Sequence, residues 1–184
     1  GEILVLAAAE NILSQLPKGN WIAGTIPYFV GENGGLFTED KIYVSRITPF
    51  VSKADIKLYN EQELSKVYTD GFKTGFSVII IPYNTKAHFD FALKATSFPN
   101  FGDIPLIGWI AGTRLDCIFK KSAFVFAGQK NISSETRAVV MHCDLLPNKY
   151  ADIGVINIFE QPEVGDTIEF KADGFSAKEA IING

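Results

Sequence analysis

Histidine, cysteine and methionine are scarce in this 184-residue chain: two, two and one. Cys117 and Cys143 are too few for a disulfide framework or a four-thiolate zinc site, and such sparing use fits a reduced, cytoplasmic setting. His88 and His142 do not stand at metal-ligand spacing with each other or with the cysteines, so no metal site is expected. Basic charge is also short. Lys and Arg total 17 against 21 Asp and Glu, a net charge of −4 that offers a phosphate backbone no attractive field, so nucleic acid is not an expected partner. Long apolar runs are missing too. Phe76–Ile81 and Ile104–Ala111 fall well short of the roughly twenty residues of a membrane helix, so no membrane insertion is expected. No basic stretch precedes the first apolar run, so a secretory leader is not expected either.

What remains is ordinary globular material. Apolar residues make up 47% and charged residues 21%, which excludes a disordered chain and a coiled coil. The length suits one domain over residues 1–184 that needs no disulfide or metal to bury a core.

The pattern along the chain alternates strand and helix. Ile3–Ala7 reads as a buried strand, and Ile12, Leu13 and Leu16 share one side of a helix from Glu10 that Pro17 and Gly19 stop. Trp21–Phe29 reads as a strand bent at Pro27, and Ile42–Ile47 as a third strand. Asp55–Tyr59 suits a short strand. Asn60 with Glu63 forms a capping-box start for a helix ending near Gly71. Phe76–Pro82 is the clearest strand, apolar on both faces and therefore covered on both. A helix over Thr85–Phe98 follows, with Phe89, Ala92, Leu93 and Thr96 on one side, then strands at Ile104–Thr113 and Ala123–Ala127. Thr136–Leu145, Ile153–Phe159 and Thr167–Lys171 are further strand candidates, and Ser176 with Glu179 suggests a final capped helix.

The strongest single signal is a repeat. Trp21-Ile22-Ala23-Gly24-Thr25 recurs letter for letter 88 residues later as Trp109-Ile110-Ala111-Gly112-Thr113, and these hold the only two tryptophans. Each copy sits in a β-α-β-β succession, over about residues 2–48 and 75–128, joined by 49–74 and followed by an extension over 129–184. The expectation is an α/β fold (or α+β): one mixed sheet built from two β-α-β-β pseudo-repeats with helices packed on it. Ligands in open α/β sheets favour the carboxyl ends of parallel strands, which puts a cleft near Thr25, Tyr28, Thr113 and Arg114. Arg114 is the natural carboxylate clamp there, or a surface partner of Asp116 or Glu135, and the hydroxyls add polar contacts.

Other motifs read as structure. The glycine-rich Gly31–Gly35 loop runs toward a strand and not a helix, so Asn33-Gly34 marks a hairpin and not a phosphate cradle. Lys120-Lys121 reads as a solvated turn. His142 and Cys143 point to opposite faces of one strand and cannot act together. No catalytic residues and no cofactor are expected.

The second unit resembles the bacterial FIST sensory domain. Ile104-Pro105-Leu106-Ile107-Gly108-Trp109-Ile110-Ala111-Gly112 stands where that family shows P-x-x-G-G-x-A-G, and Ala123–Gly128 resembles its x-V-F-x-x-G strand. Leu16-Pro17 followed by Ile22-Ala23-Gly24-Thr25 is similar to the family's earlier helix and G-C-S-x-A-G-E strand. Trp109 replaces the pattern's second glycine, and Ile26-Pro27-Tyr28 stands where small and polar residues are usual. The resemblance covers about residues 2–145. It implies a non-enzymatic cytoplasmic sensory module that binds a small ligand, such as an amino acid or small carboxylate, and signals through a protein partner. Two alternatives stay open. One is an enzyme on a small acidic substrate, with Arg114 as clamp and His142 or Asp116 as acid–base group. The other is a structural, partner-binding domain.

Overall fold

A computed structural model describes residues 1–156, 158, 160, 164–172, 174 and 177–184. The chain divides into two compact units, Gly1–Asp152 and Ile153–Gly184, described separately below.

In the first unit the strands are β1 (Ile3–Ala8), β2 (Asn20–Thr25), β3 (Tyr28–Gly31), β4 (Gly34–Phe37), β5 (Ile42–Arg46), β6 (Val51–Tyr59), β7 (Gly75–Pro82), β8 (Leu106–Ala111), β9 (Val125–Ala127), β10 (Ile132–Ser134) and β11 (Ala138–Leu145). The helices are α1 (Glu10–Leu13) and α2 (Lys86–Lys94). They build a mixed α/β fold with helices packed on sheets. The expected single sheet is two: a five-stranded sheet ordered β10-β9-β2-β1-β5 and a four-stranded sheet ordered β6-β11-β7-β8.

Each sheet is organised around one strand-helix-strand crossover. β1 and β2 run parallel with α1 between them, and β7 and β8 run parallel with α2 between them. An antiparallel strand flanks each pair, β5 beside β1 and β11 beside β7. The strand at 123–127 follows β8 in the chain but joins the other sheet, where β9 pairs antiparallel with β2. Its register explains why: Phe126 lies beside Ala23 and joins the cluster beneath α1, which no place next to β8 would offer.

Side-chain parity along the strands sorts the apolar residues into three clusters. Val5, Ile22, Val78, Ile80, Val125, Val139 and Met141 meet between the two sheets. Leu6, Ala8, Trp21, Ala23 and Leu13 pack on the α1 side. Ile79, Ile81, Val140, Ala87, Leu64 and Val67 pack on the α2 side. The sheets therefore lie face to face with a helix on each outer surface. Their central strands must be apolar on both faces, which is why 78–82 reads as an unbroken apolar run. Each fully buried Ile or Val contributes about 1.5–3 kcal/mol to holding the layers together.

Local chemistry sets the ends. The Thr85 hydroxyl accepts from the His88 amide and starts α2, while α1 is a single turn whose cap position, Ala9, supplies no side-chain bond. Asn60 and Glu63 form the reciprocal capping bonds expected of them. What they start, however, is turns around one short 3-10 turn, Leu64–Lys66, and not an α-helix. α2 also turns differently from the expected face: Ala87 and Phe91 meet the core, while Phe89 and Leu93 are exposed. β3 and β4 form a hairpin across Glu32 and Asn33, with Gly34 at φ +101°. Residues 129–152 supply β10 and β11, so they are integral to the two sheets.

In the second unit β12 (Ile168–Glu169) pairs antiparallel with β13 (Ile181–Ile182). The helix expected at the end is replaced by β13, where two β-branched side chains favour extension. Its cap residue Ser176 lies outside the described residues. Of the strand expected at 153–159, positions 157 and 159 lie outside them too, and the others are not in a strand. No helix among the described residues is long and apolar enough to cross a membrane.

The two copies of the repeated pentapeptide present opposite faces. Trp21 lies beside Leu4 and packs under α1, whereas Trp109 lies beside Ile80 and faces the inter-sheet core. Gly24 is what admits Trp109: a Cβ at residue 24 would come within 2.6 Å of Ile80 Cγ2 and 3.2 Å of Trp109 Nε1. The matching Gly112 has open space around it. Gly24→Ala is therefore expected to cost about 1–3 kcal/mol by overpacking, and Gly112→Ala less than about 0.5 kcal/mol. Urea denaturation of both variants checks this, and equal losses would refute the assigned faces.

Candidate functional site

β2 and β8 belong to different sheets, yet their carboxyl ends meet. The Gly112 amide donates to the Thr25 carbonyl at 2.7 Å, and the Thr25 hydroxyl donates to the Gly112 carbonyl at 2.9 Å. The same hydroxyl accepts from the Phe124 amide at 2.9 Å. Thr25 is buried, with its hydroxyl proton and one lone pair used, so it is a joint between strands and has no proton left to donate to a ligand.

Beside this joint lies a cavity of about 350 Å³ whose walls include Thr25, Thr113, Arg114, Lys121, Glu10 and Glu39. Three of the four residues expected at the cleft line it. Tyr28 does not: its ring lines a separate apolar cavity, while its hydroxyl accepts from the Leu115 amide at 3.1 Å. A second polar cavity of about 560 Å³, walled by Tyr83, Thr85, Lys86, Phe119 and Thr136, lies at the carboxyl end of β7. Lys121 and Ser122 border both polar cavities. The Lys120-Lys121 turn is thus part of the wall between them. Two tyrosines brace this loop, Tyr28 through Leu115 and Tyr83 through Phe119 and the Lys121 carbonyl.

Arg114 already holds carboxylates. Nε and Nη2 donate to the two oxygens of Asp116 at 3.0 and 2.9 Å, and Nη1 donates to Glu39 at 3.2 Å. The guanidinium also lies 5.6 Å from the Phe37 ring centroid. The hydrogen bonds from Arg114 hold the Asp116 carboxyl below its ordinary range, so Asp116 stays ionised and is a poor general acid. Glu135 takes no part in this cluster.

His142 sits elsewhere, on the α2 side of the four-stranded sheet. It lies opposite Ser77 on one neighbouring strand and Asp55 on the other. Nδ1 is 2.7 Å from the Ser77 hydroxyl and Nε2 is 2.8 Å from the Tyr59 hydroxyl. Tyr59 in turn donates to Asp70 at 2.8 Å, and Lys57 reaches the same oxygen at 3.2 Å. These roles assign a neutral imidazole protonated at Nε2: Ser77 donates to Nδ1, and Nε2–H donates to Tyr59. The network pins the segment carrying Asp70 over the sheet. His142 and Ser77 are buried and line none of the three cavities, so His142 is not an acid–base group of the cleft. Sequence reading missed this network because its members are dispersed and only register aligns them. Cys143, on the opposite face, is buried, which pushes its thiol up to about 12.

A family of unknown function, DUF6976, has a model that matches residues 1–184, and the chain belongs to it. No curated protein and no solved structure matches the chain.

Burial, with a lesser contribution from Lys57, lowers the His142 pKa to about 4, against the opposing charges of Asp70 and Asp55. Burial alone would raise Asp70, but the bonds from Tyr59 and Lys57 outweigh it and hold Asp70 low. In the unfolded chain His142 takes up its proton near pH 6.5, while the folded chain resists until about pH 4. The stability this group contributes is therefore complete above about pH 6.5 and is lost as pH falls toward 4, by on the order of 3 kcal/mol. Urea unfolding between pH 4 and 7 is expected to show that slope, and His142→Gln to flatten it. A wild-type slope unchanged in the variant would remove His142 as its source.

Proposed function

We propose that this chain is a non-enzymatic, cytoplasmic sensory module that takes a small amino acid or carboxylate in the cavity beside the Thr25–Gly112 joint. The observation that carries this reading is that the carboxyl ends of β2 and β8, from two parallel pairs, border one cavity that holds charges of both signs. Arg114 and Lys121 match a ligand carboxylate, and Glu10 and Glu39 match an ammonium. The motifs similar to FIST domains, together with a β-α-β unit in each sheet, support a sensory role built on two pseudo-equivalent halves. Signalling then passes to a protein partner.

The mechanism is exchange of one carboxylate for another. Asp116 holds Arg114 at two points and Glu39 at one, so an incoming carboxylate displaces Glu39 first. Glu39 lies between β4 and β5, beside Thr38, whose amide donates to the Pro27 carbonyl. Its release changes the setting of that connection, and the ligand thereby favours one arrangement over the other.

A thermal-shift screen against amino acids and small carboxylates, followed by tryptophan fluorescence, tests the reading. A binder at 100 times its dissociation constant stabilises by about 2.7 kcal/mol, or about 5–10 °C in a chain of this size. The shift is expected to vanish in Arg114→Ala. No shift across the panel, or one that persists in that variant, overturns the assignment.

A further inference from the structure

We infer that the amino acid held beside the Thr25–Gly112 joint is a basic one, with a second cation on an aliphatic side chain; the inference rests on the carboxylate site proposed above. The charges of that site point to it. Two cations, Arg114 and Lys121, line the cavity together with two carboxylates, Glu10 and Glu39. A third carboxylate, Asp116, does not line it but holds Arg114. The group therefore carries one negative charge in excess, and the ligand complementary to it is a net cation.

The way these charges are already used sharpens the argument. Asp116 takes the guanidinium at Nε and Nη2, at 3.0 and 2.9 Å, so a ligand carboxylate competes at Nη1, which is bonded to Glu39 at 3.2 Å. Its entry sets the Glu39 carboxylate free. Glu10, the first residue of α1, takes no part in an ion pair among the described residues, and neither does Lys121. With Arg114 and Lys121 turned to the ligand carboxylate, Glu10 and Glu39 are left as two acceptors without a cation. The α-ammonium satisfies one of them. The other calls for a second cation on the same molecule, because two like charges sharing a site repel.

The remaining wall fits what lies between those two cations. Ala9, Ile26 and Pro27 line the cavity beside the charged groups and offer an apolar surface to the methylenes of a lysine-like chain. The volume of about 350 Å³ stands at the lower end of ligand pockets and suits a single amino acid. An acidic amino acid brings a second carboxylate to a site already in excess of them. A neutral one leaves a carboxylate unmatched.

Isothermal titration of the full chain at low ionic strength tests this with four probes. They are L-lysine; L-norleucine, which keeps the stem without the cation; cadaverine, which keeps both amines without the carboxylate; and L-glutamate. Lysine is expected to bind more tightly than norleucine or cadaverine by about tenfold or more, and glutamate most weakly. The preference for lysine over norleucine should shrink as salt is raised, because Arg114 and Glu39 are half exposed and screened. Glu39→Gln supplies a readout that a merely structural role does not move. Norleucine should bind this variant more tightly, since its carboxylate no longer competes with Glu39 for Arg114, while lysine should bind it more weakly. Norleucine equal to lysine, with both lost in Arg114→Ala, overturns the basic ligand and leaves the carboxylate site standing. Cadaverine equal to lysine overturns both, because no carboxylate is then being held. Lysine and norleucine moving in the same direction in Glu39→Gln, or no binding of lysine at all, also overturns the inference, whatever other amino acid the site takes.

Discussion

Everything around the polar cleft hangs on one side chain, Thr25. Its backbone and hydroxyl together make four hydrogen bonds, two to Gly112 and two to Phe124. The first pair ties the carboxyl end of a strand in one sheet to the exit of a strand in the other. The second leads the chain from the loop after β8 into β9. Loss of the hydroxyl would leave a buried carbonyl and a buried amide without partners, the costly half of a broken hydrogen bond. The joint converts two sheets that could slide on an apolar interface into a fixed pair. That fixity lets Arg114 and Lys121 of one loop share a cavity with Glu10, at the start of α1, and Glu39, between β4 and β5.

The facing of the two sheets explains the remaining polar chemistry by contrast. The core between the sheets is lined mainly by apolar side chains, and the buried pair Ser77 and His142 lies on the outer face, where segment 60–74 covers the four-stranded sheet. There, Ser77, His142, Tyr59 and Asp70 satisfy one another in a chain that ends in a Lys57 ion pair near solvent. A fully satisfied network of this kind orders a segment that has too little regular structure to order itself. It also resembles a catalytic relay on paper. What separates the two is access: Ser77 is 1% exposed and His142 0%, so no substrate atom reaches either nucleophile or base.

Much of the fold was legible in the letters. Parity and run length locate β1, β2, β5, β7, β8, β9, β11 and the second half of β6, because a well-buried strand is largely apolar, while the short and mostly exposed β4 and β10 carry no such signal. Pro27 and Asn33-Gly34 mark the break and the hairpin for reasons local to the backbone. Pairing over long distances was not legible. Nothing within residues 123–127 says that they lie beside β2 and not β8, because both neighbours offer an apolar edge and only the cluster beneath α1 decides. The cleft was half legible. The strand-end rule finds Thr25, Thr113 and Arg114, but it cannot say that the Thr25 hydroxyl ties two strands together or that Tyr28 lines a different cavity.

The repeated pentapeptide shows why identity of letters is weaker than identity of place. In a strand, the face a residue presents is set by register against its neighbour, and register is a property of the pair. Trp21 pairs with Leu4 and faces a helix; Trp109 pairs with Ile80 and faces a sheet. Yet the two copies need each other, since the glycine of the first gives the tryptophan of the second its space. The same segment then joins two cavities: Ile26, the residue after the first copy, lines both the polar cleft and the apolar cavity walled by Tyr28. A molecule that displaces Ile26 in the cleft moves a wall of the other.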